Sequence, residues 1–227
     1  MPRTAIMADS NCGIMPEEES HYGIHILPMP IIIDGKTYFE GIDITMEEFY
    51  QKQTSGSVIT TSQPSPGDVT DMWDLLLKAH DEIVFIPMSS GLSNTCQTAL
   101  LLAEDELYKG RVFVVDNHRI SVTQALAVLD AKALADEGRT AREIKEILEQ
   151  EAMDATIYIA VDTPEYLKKG GRITAAAAAL GTILKLKPVL TIQGDKLDSY
   201  AKARGMKSAF RVMLEALKSD IASRLSH

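Results

Sequence analysis

The sequence predicts an α/β protein. Its N-terminal domain, residues 1–155, holds a parallel sheet with helices on both faces, and an α+β domain follows at 156–227. Three observations carry this. Apolar runs of strand length alternate with segments of helical spacing as far as residue 161, and such alternation builds a parallel sheet covered by helices. Beyond that point the order changes to a Lys/Gly-rich loop, a helix, two extended pieces and a last helix. Charge divides close to the same place: residues 1–167 carry 11 Lys/Arg against 28 Asp/Glu, a net of −17, and residues 168–227 carry 12 against 4, a net of +8.

Thr4–Ala8 is an apolar strand ending in the polar turn Asp9-Ser10-Asn11. Ile24–Ile33 reads as one extended stretch interrupted by Pro28 and Pro30, and Asp34-Gly35 is a hairpin signal leading into Lys36–Phe39. Thr45, with Glu48 three residues on, forms a capping box ahead of a helix holding Phe49 and Tyr50. Ser65-Pro66 opens the next helix, whose Val69, Met72, Trp73, Leu76 and Leu77 recur at helical spacing. Ile83–Ile86 and Arg111–Val115 are buried strands ending at serines and at Asp116. Helices follow at Val122–Ala135 and, announced by Thr140 and Glu143, at Ala141–Glu151; Ile157–Val161 is the next strand. In the second domain an alanine-rich helix spans Thr174–Leu184, and Pro188–Gln193 pairs with Leu197–Ala203 through a hairpin at Gly194-Asp195. The last helix, from Met206, turns Phe210, Met213, Leu214, Leu217 and Ile221 to one side.

With 45% apolar residues the chain can bury a sizeable core. Cys12 and Cys96 are far apart and no Cys/His cluster has zinc spacing, so neither a disulfide framework nor a metal site is expected. The N-terminal residues lack the apolar core and small-residue cleavage site of a signal peptide, and no apolar run is long enough to span a bilayer. A cytoplasmic location is the expectation. An acidic first domain without aromatic-interleaved basic runs argues against nucleic acid, and the glycine turns lack the lysine of a P-loop.

The segment Met88–Thr95, Met-Ser-Ser-Gly-Leu-Ser-Asn-Thr, lies between a buried strand and a helix. Backbone N–H groups, hydroxyls and the positive end of a helix dipole meet there, which suits an anion. A capped helix start with Ser93 as N-cap and nothing bound explains the same residues. In a parallel sheet, Asp9-Ser10, Ser89–Thr95 and Asp116 converge on one edge, and ligands collect at that edge. Thr60-Thr61-Ser62-Gln63-Pro64 adds a second cluster of hydroxyls in a proline-stiffened loop. A hydrolase reading also follows, because Gly91-Leu92-Ser93 partly imitates a nucleophile elbow, with Ser93 as nucleophile on acyl esters and His118 as its base.

The ordered set of Asp9-Ser10, Thr61-Ser62-Gln63-Pro64, Ser89–Thr95, Asp116 with Ser121, Tyr166–Ile173, Leu186–Leu190 and Lys202–Gly205 resembles the DegV family of bacterial fatty-acid-binding proteins across nearly the whole chain. The resemblance implies a carrier, not an enzyme, that buries one long-chain fatty acid between two domains and needs no cofactor or metal. Its carboxylate would be held by Thr61 and Ser93, with Ser62 and Arg172 near the ligand. The partner implied is an ATP-dependent fatty acid kinase, with Arg204 in the contact. Two departures stand out. Thr123 and Ala125 occupy positions where the family usually has glycine. Family chains also continue into more sheet and a Gly/His motif, whereas this one stops at Leu225-Ser226-His227, so a shortened second domain is expected.

Overall fold

The computed structural model describes residues 2–179, 186–193, 196–223 and 225. The chain divides into two compact units, Met1–Ala152 and Met153–His227. The first unit runs β1 (Thr4–Asp9), α1 (Glu19–Tyr22), β2 (His25–Leu27), β3 (Pro30–Ile33), β4 (Lys36–Phe39), α2 (Met46–Thr54), β5 (Ile59–Thr61), α3 (Pro66–Leu76), β6 (Glu82–Ile86), α4 (Thr95–Leu102), β7 (Val112–Val114), α5 (Val122–Asp136) and α6 (Ala141–Gln150).

Its main sheet has the order β2-β1-β6-β7 and is parallel throughout, with Met7 opposite His25, Ile6 opposite Val84 and Val84 opposite Phe113. Side chains alternate across a strand, so a sheet covered on both faces buries consecutive residues in different layers. Ile6 and Val84 accordingly pack with Cys12, Val128, Ala131, Ile144 and Leu148 on the α5/α6 side. Met7 and Phe85 pack with Val69, Trp73, Cys96 and Ala99 on the α3/α4 side. Trp73, the one tryptophan of the chain, meets Phe85 and Tyr108 edge-on at 6.3 and 5.1 Å between ring centroids. Both thiols are buried, and desolvation pushes Cys12 up to about 11 and Cys96 to about 12.

A second sheet, of order β4-β3-β5, is antiparallel. The extended stretch from Ile24 to Ile33, interrupted by Pro28 and Pro30, is split between the two sheets. Pro28 and Pro30 have no N–H for a ladder, so β2 ends at Leu27 and β3 starts afresh at Pro30. Asp34 and Gly35 both take positive φ, +50° and +81°, which closes the β3–β4 hairpin with the twist that its strands need. Thr60 and Thr61, expected in a loop, instead pair with Ile32 and Ile31 as β5, because β-branched residues fit the free edge of β3.

The helix starts follow the capping signals. Thr45 and Glu48, Ser65 and Asp68, and Thr140 and Glu143 form reciprocal capping boxes, and Pro66 opens α3. The Thr140 N–H, then its hydroxyl, hold the Glu143 carboxyl below the usual glutamate range. A depressed folded-state value stabilises at pH above the unfolded glutamate value of ~4.3 and is lost as pH falls through the lower, folded one. Glu143→Gln should therefore be less stable than the parent at pH 7. That difference should close in acid, as chemical denaturation at several pH values would show.

The second unit runs β8 (Ile157–Ala160), α7 (Glu165–Gly170), α8 (Ala175–Ala179), β9 (Leu186–Ile192), β10 (Asp198–Arg204) and α9 (Met206–Ser223). Its sheet, order β10-β9-β8, is antiparallel, with Ile159 opposite Leu190 and Ala201 opposite Val189. The expected turn at Gly194-Asp195 and residues 180–184 of the expected alanine-rich helix lie outside the described residues. Helix α9 departs from its predicted face. Ala209, Val212 and Met213 pack on the sheet beside Val189 and Ala203, while Phe210, Leu214 and Ile221 are 52, 59 and 59% exposed. Alanines let the helix approach the strands closely, and Tyr158 fastens it by donating to Asp220 Oδ2 at 3.0 Å.

Candidate functional site

Asp9, the last residue of β1, is fully buried and organises the carboxyl edge of the parallel sheet. Its Oδ2 accepts from Met88 N–H at 2.7 Å, and its Oδ1 accepts from Asn11 N–H, Asn11 Nδ2 and Gln124 Nε2 at 3.1, 3.1 and 3.2 Å. Burial pushes the Asp9 carboxyl up from its ordinary value, and these donors pull the other way. Gln124 Nε2 also donates to Ile86 O at 3.0 Å, so one buried amide joins β1, β6 and α5. Nearby, Ser10 Oγ accepts from Met29 N–H at 3.1 Å, Ser89 N–H donates to Arg119 O at 2.8 Å and Ser90 N–H to Asp116 Oδ1 at 3.4 Å. The predicted convergence of Asp9-Ser10, the serine turn and Asp116 is thus formed.

The turn itself is tight. Ser89 O accepts from Leu92 and Ser93 N–H at 3.0 and 3.1 Å, and Ser89 Oγ accepts from Gly91 N–H at 3.1 Å. Helix α4 begins at Thr95, and its cap position is Asn94, which makes no side-chain cap bond. Ser93 acts one step earlier than a cap. Its Oγ accepts from Thr95 N–H at 3.2 Å and pairs with Thr95 Oγ1 at 2.9 Å. Thr95 is 2% exposed and Ser93 is half-buried. When the Thr95 hydroxyl donates, both lone pairs of Ser93 Oγ are filled and the Ser93 proton is turned outward, toward an acceptor.

Thr61 ends β5, and its exposed hydroxyl makes no hydrogen bond among the described residues. The loop after it is fixed at both ends. Ser62 N–H donates to Pro30 O at 3.4 Å, and Gln63 Nε2 donates to Thr98 Oγ1 at 3.2 Å, within α4. The Thr61 loop is therefore anchored on the helix that follows Ser93. Ser62 Oγ is engaged with Gln63 O at 3.0 Å.

His118 Nδ1 lies 3.7 Å from Asp116 Oδ1, and the Ser93 hydroxyl is paired with Thr95, which is not the Ser–His pairing that the hydrolase reading requires. Arg172 and Arg204 belong to the second unit. Arg172 Nη1 donates to Gly170 O at 2.7 Å across the glycine that ends α7, and Arg204 closes β10 with its side chain exposed, as are Lys202, Lys207 and Arg211. Among the described residues no three His, Cys, Asp or Glu side chains group as metal ligands, and no helix is long and apolar enough to cross a membrane.

Gln124 was not foreseen at this edge, nor were the pairing of Thr95 and the backbone of Ser121, two residues that stand in the motifs named above. Gln124 shares a buried helical stripe with Ala127, Val128 and Ala131, and a lone amide in such a stripe is a readable signal. Thr95 carried no signal beyond its place after Ser93. Ser121 adopts φ +56° and ψ −138°, a conformation costly for a residue with a side chain, and its N–H donates to Asn11 O at 3.0 Å.

The model of the DegV family matches residues 3–226. A DegV domain-containing protein of Caldanaerobacter subterraneus is 34% identical over 227 residues, which are 99% of this chain and 81% of that protein. Among solved structures, a DegV family protein from Thermus thermophilus, described as fatty-acid-binding, superposes with a TM-score of 0.87 at 34% identity, covering 98% of this chain and 79% of that one. DegV from Bacillus subtilis, described as a fatty acid binding protein, does so with a TM-score of 0.85 at 28% identity over the same shares. The sheet edge built on Asp9, the serine turn and the Thr-Ser-Gln-Pro loop thus sits in a chain that belongs to the DegV family.

Proposed function

We propose that this chain is a cytoplasmic carrier that binds one long-chain fatty acid, holds its carboxylate at Thr61 and Ser93, and presents it to an ATP-dependent fatty acid kinase. The observation that carries the reading is the Ser93–Thr95 hydroxyl pair at the start of α4; when Thr95 donates within it, the Ser93 proton is left for a carboxylate. The fatty-acid binding described for the relatives from Thermus thermophilus and Bacillus subtilis supports it. Burying an acyl chain contributes roughly 0.8 kcal/mol per methylene, on the order of 10 kcal/mol for a long chain. A hydrogen bond to a charged group contributes about 1.5–3 kcal/mol. The chain then supplies the affinity, and the two hydroxyls decide which end is held. Ser62 stiffens the loop, and Arg172 serves the loop after α7 before any ligand.

Protein purified from a bacterial host should release long-chain fatty acid on extraction, in near-stoichiometric amount by mass spectrometry. A lipid-free preparation that also fails to bind added palmitic acid would overturn the reading. The kinase step has its own test. Arg204, with Lys202, Lys207 and Arg211, is assigned to the docking face, so Arg204→Ala should slow acyl phosphate formation and leave fatty acid binding intact. Unchanged phosphorylation would remove the docking assignment alone.

A further inference from the structure

The two hydroxyls assigned to the carboxylate stand on elements of unequal rigidity. Ser93 adjoins α4, whose Thr95, Cys96 and Ala99 are buried. Thr61 ends a three-residue strand at the edge of the small sheet. Past its pairing with Ile31, the next contact to β3, from Ser62 N–H to Pro30 O, is stretched to 3.4 Å. A good N–H···O bond ends at about 3.2 Å. The Ser62 hydroxyl is spent on the adjacent Gln63 O and ties the loop only to itself.

Gln63 supplies what the ladder lacks. Its Nε2 donates to Thr98 Oγ1 at 3.2 Å, a partly buried bond between residues 35 positions apart. Pro64, next in the chain, is buried. Thr98 follows Thr95 by three positions, so the two stand on one side of α4, and Thr95 is the residue paired with Ser93. The bond thus joins the Thr61 loop to the side of α4 that holds Ser93. Two donors serve one carboxylate together only when their placement is held to about 0.5 Å. We propose that Gln63 is a positioning residue for the anionic head: it touches no ligand, and its bond to Thr98 fixes the Thr61 hydroxyl relative to that of Ser93. The inference rests on the fatty-acid reading above and adds the residue that makes its two donors act as one site.

The test measures palmitic acid binding and melting temperature on the same variants. Gln63→Leu keeps the length of the side chain and removes the donor. Thr98 is half-buried, so water can serve its hydroxyl and the melting temperature should hold. Palmitic acid binding should weaken about three- to tenfold, and methyl palmitate, a weaker acceptor, should lose much less. On a Thr61→Ala background the same change should cost nothing further, because no hydroxyl remains to be placed. Thr98→Val should match Gln63→Leu, and Thr98→Ser, which restores the oxygen, should recover most of the loss. Equal losses on the two backgrounds, or parent affinity in Gln63→Leu, overturn the positioning role and leave the carboxylate site standing. A lower melting temperature with equal losses for acid and ester also overturns it, since Gln63 then only supports the loop. Parent affinity in Thr61→Ala removes the carboxylate assignment and this inference together, and a parent protein that binds no palmitic acid overturns the fatty-acid reading itself. Should Gln63→Leu fail to fold, Thr98→Val against Thr98→Ser on both backgrounds decides.

Discussion

Asp9→Ala is expected to destabilise the first unit by about 2–6 kcal/mol, since it leaves buried donors without an acceptor at about 1–3 kcal/mol each. The Met88 N–H and one proton of the Gln124 amide are the donors removed farthest from water. The effect combines structure and function, because the same carboxylate fixes where β1 stops and where the serine turn begins. Asp9→Asn keeps the shape but turns an amide donor toward the Asn11 and Gln124 donors or toward Met88, so it should recover only part of the loss. Urea denaturation followed by Trp73 fluorescence reads this unit directly, because that side chain lies in its core. A loss under about 1 kcal/mol for Asp9→Ala would mean that water replaces the carboxylate, and the organising role would be withdrawn.

The second large effect is on binding. Thr61→Ala with Ser93→Ala should weaken fatty acid binding by about 30-fold or more, since each hydroxyl lost to a charged acceptor costs about 1–3 kcal/mol. Stability should hold, because Thr61 is exposed and Ser93 is half-buried. The methyl ester of the same acid separates head-group loss from general damage. Its neutral carbonyl is a weaker acceptor than a carboxylate, so its affinity should fall much less. Equal losses for acid and ester would place the carboxylate elsewhere, and retention of wild-type affinity by the double variant would do so more simply.

The elements visible from sequence were those with a local cause. The three helix starts at Thr45, Ser65 and Thr140, the Asp34-Gly35 hairpin and the apolar runs that became β1, β6 and β7 each rest on residues within a few positions of one another. What escaped depends on distant partners. Ile59-Thr60-Thr61 becomes a strand only because β3 offers an edge, and that the two halves of the proline-interrupted stretch join different sheets depends on partners far along the chain. Helix α9 was misread because large side chains were taken to mark its packed face, whereas alanines set the approach to the sheet. Within the candidate site, Ser93 and Thr61 stand in legible motifs. The pairing that orients Ser93 needs Thr95 to be buried, which no spacing states.

The two cysteines have a kinetic consequence. Cys12 packs in the α5/α6 layer and Cys96 in the α3/α4 layer, on opposite faces of one sheet. Only a thiolate alkylates, and burial holds both groups protonated, near 11 and 12, while an exposed thiol titrates at about 8.5. Modification by iodoacetamide in native buffer must therefore wait for a layer to open. Each face of the sheet carries its own clock. Peptide mapping of the two alkylation rates would tell whether the helical layers lift independently or only when the whole unit unfolds, and would show how far a ligand held at the sheet edge slows either one.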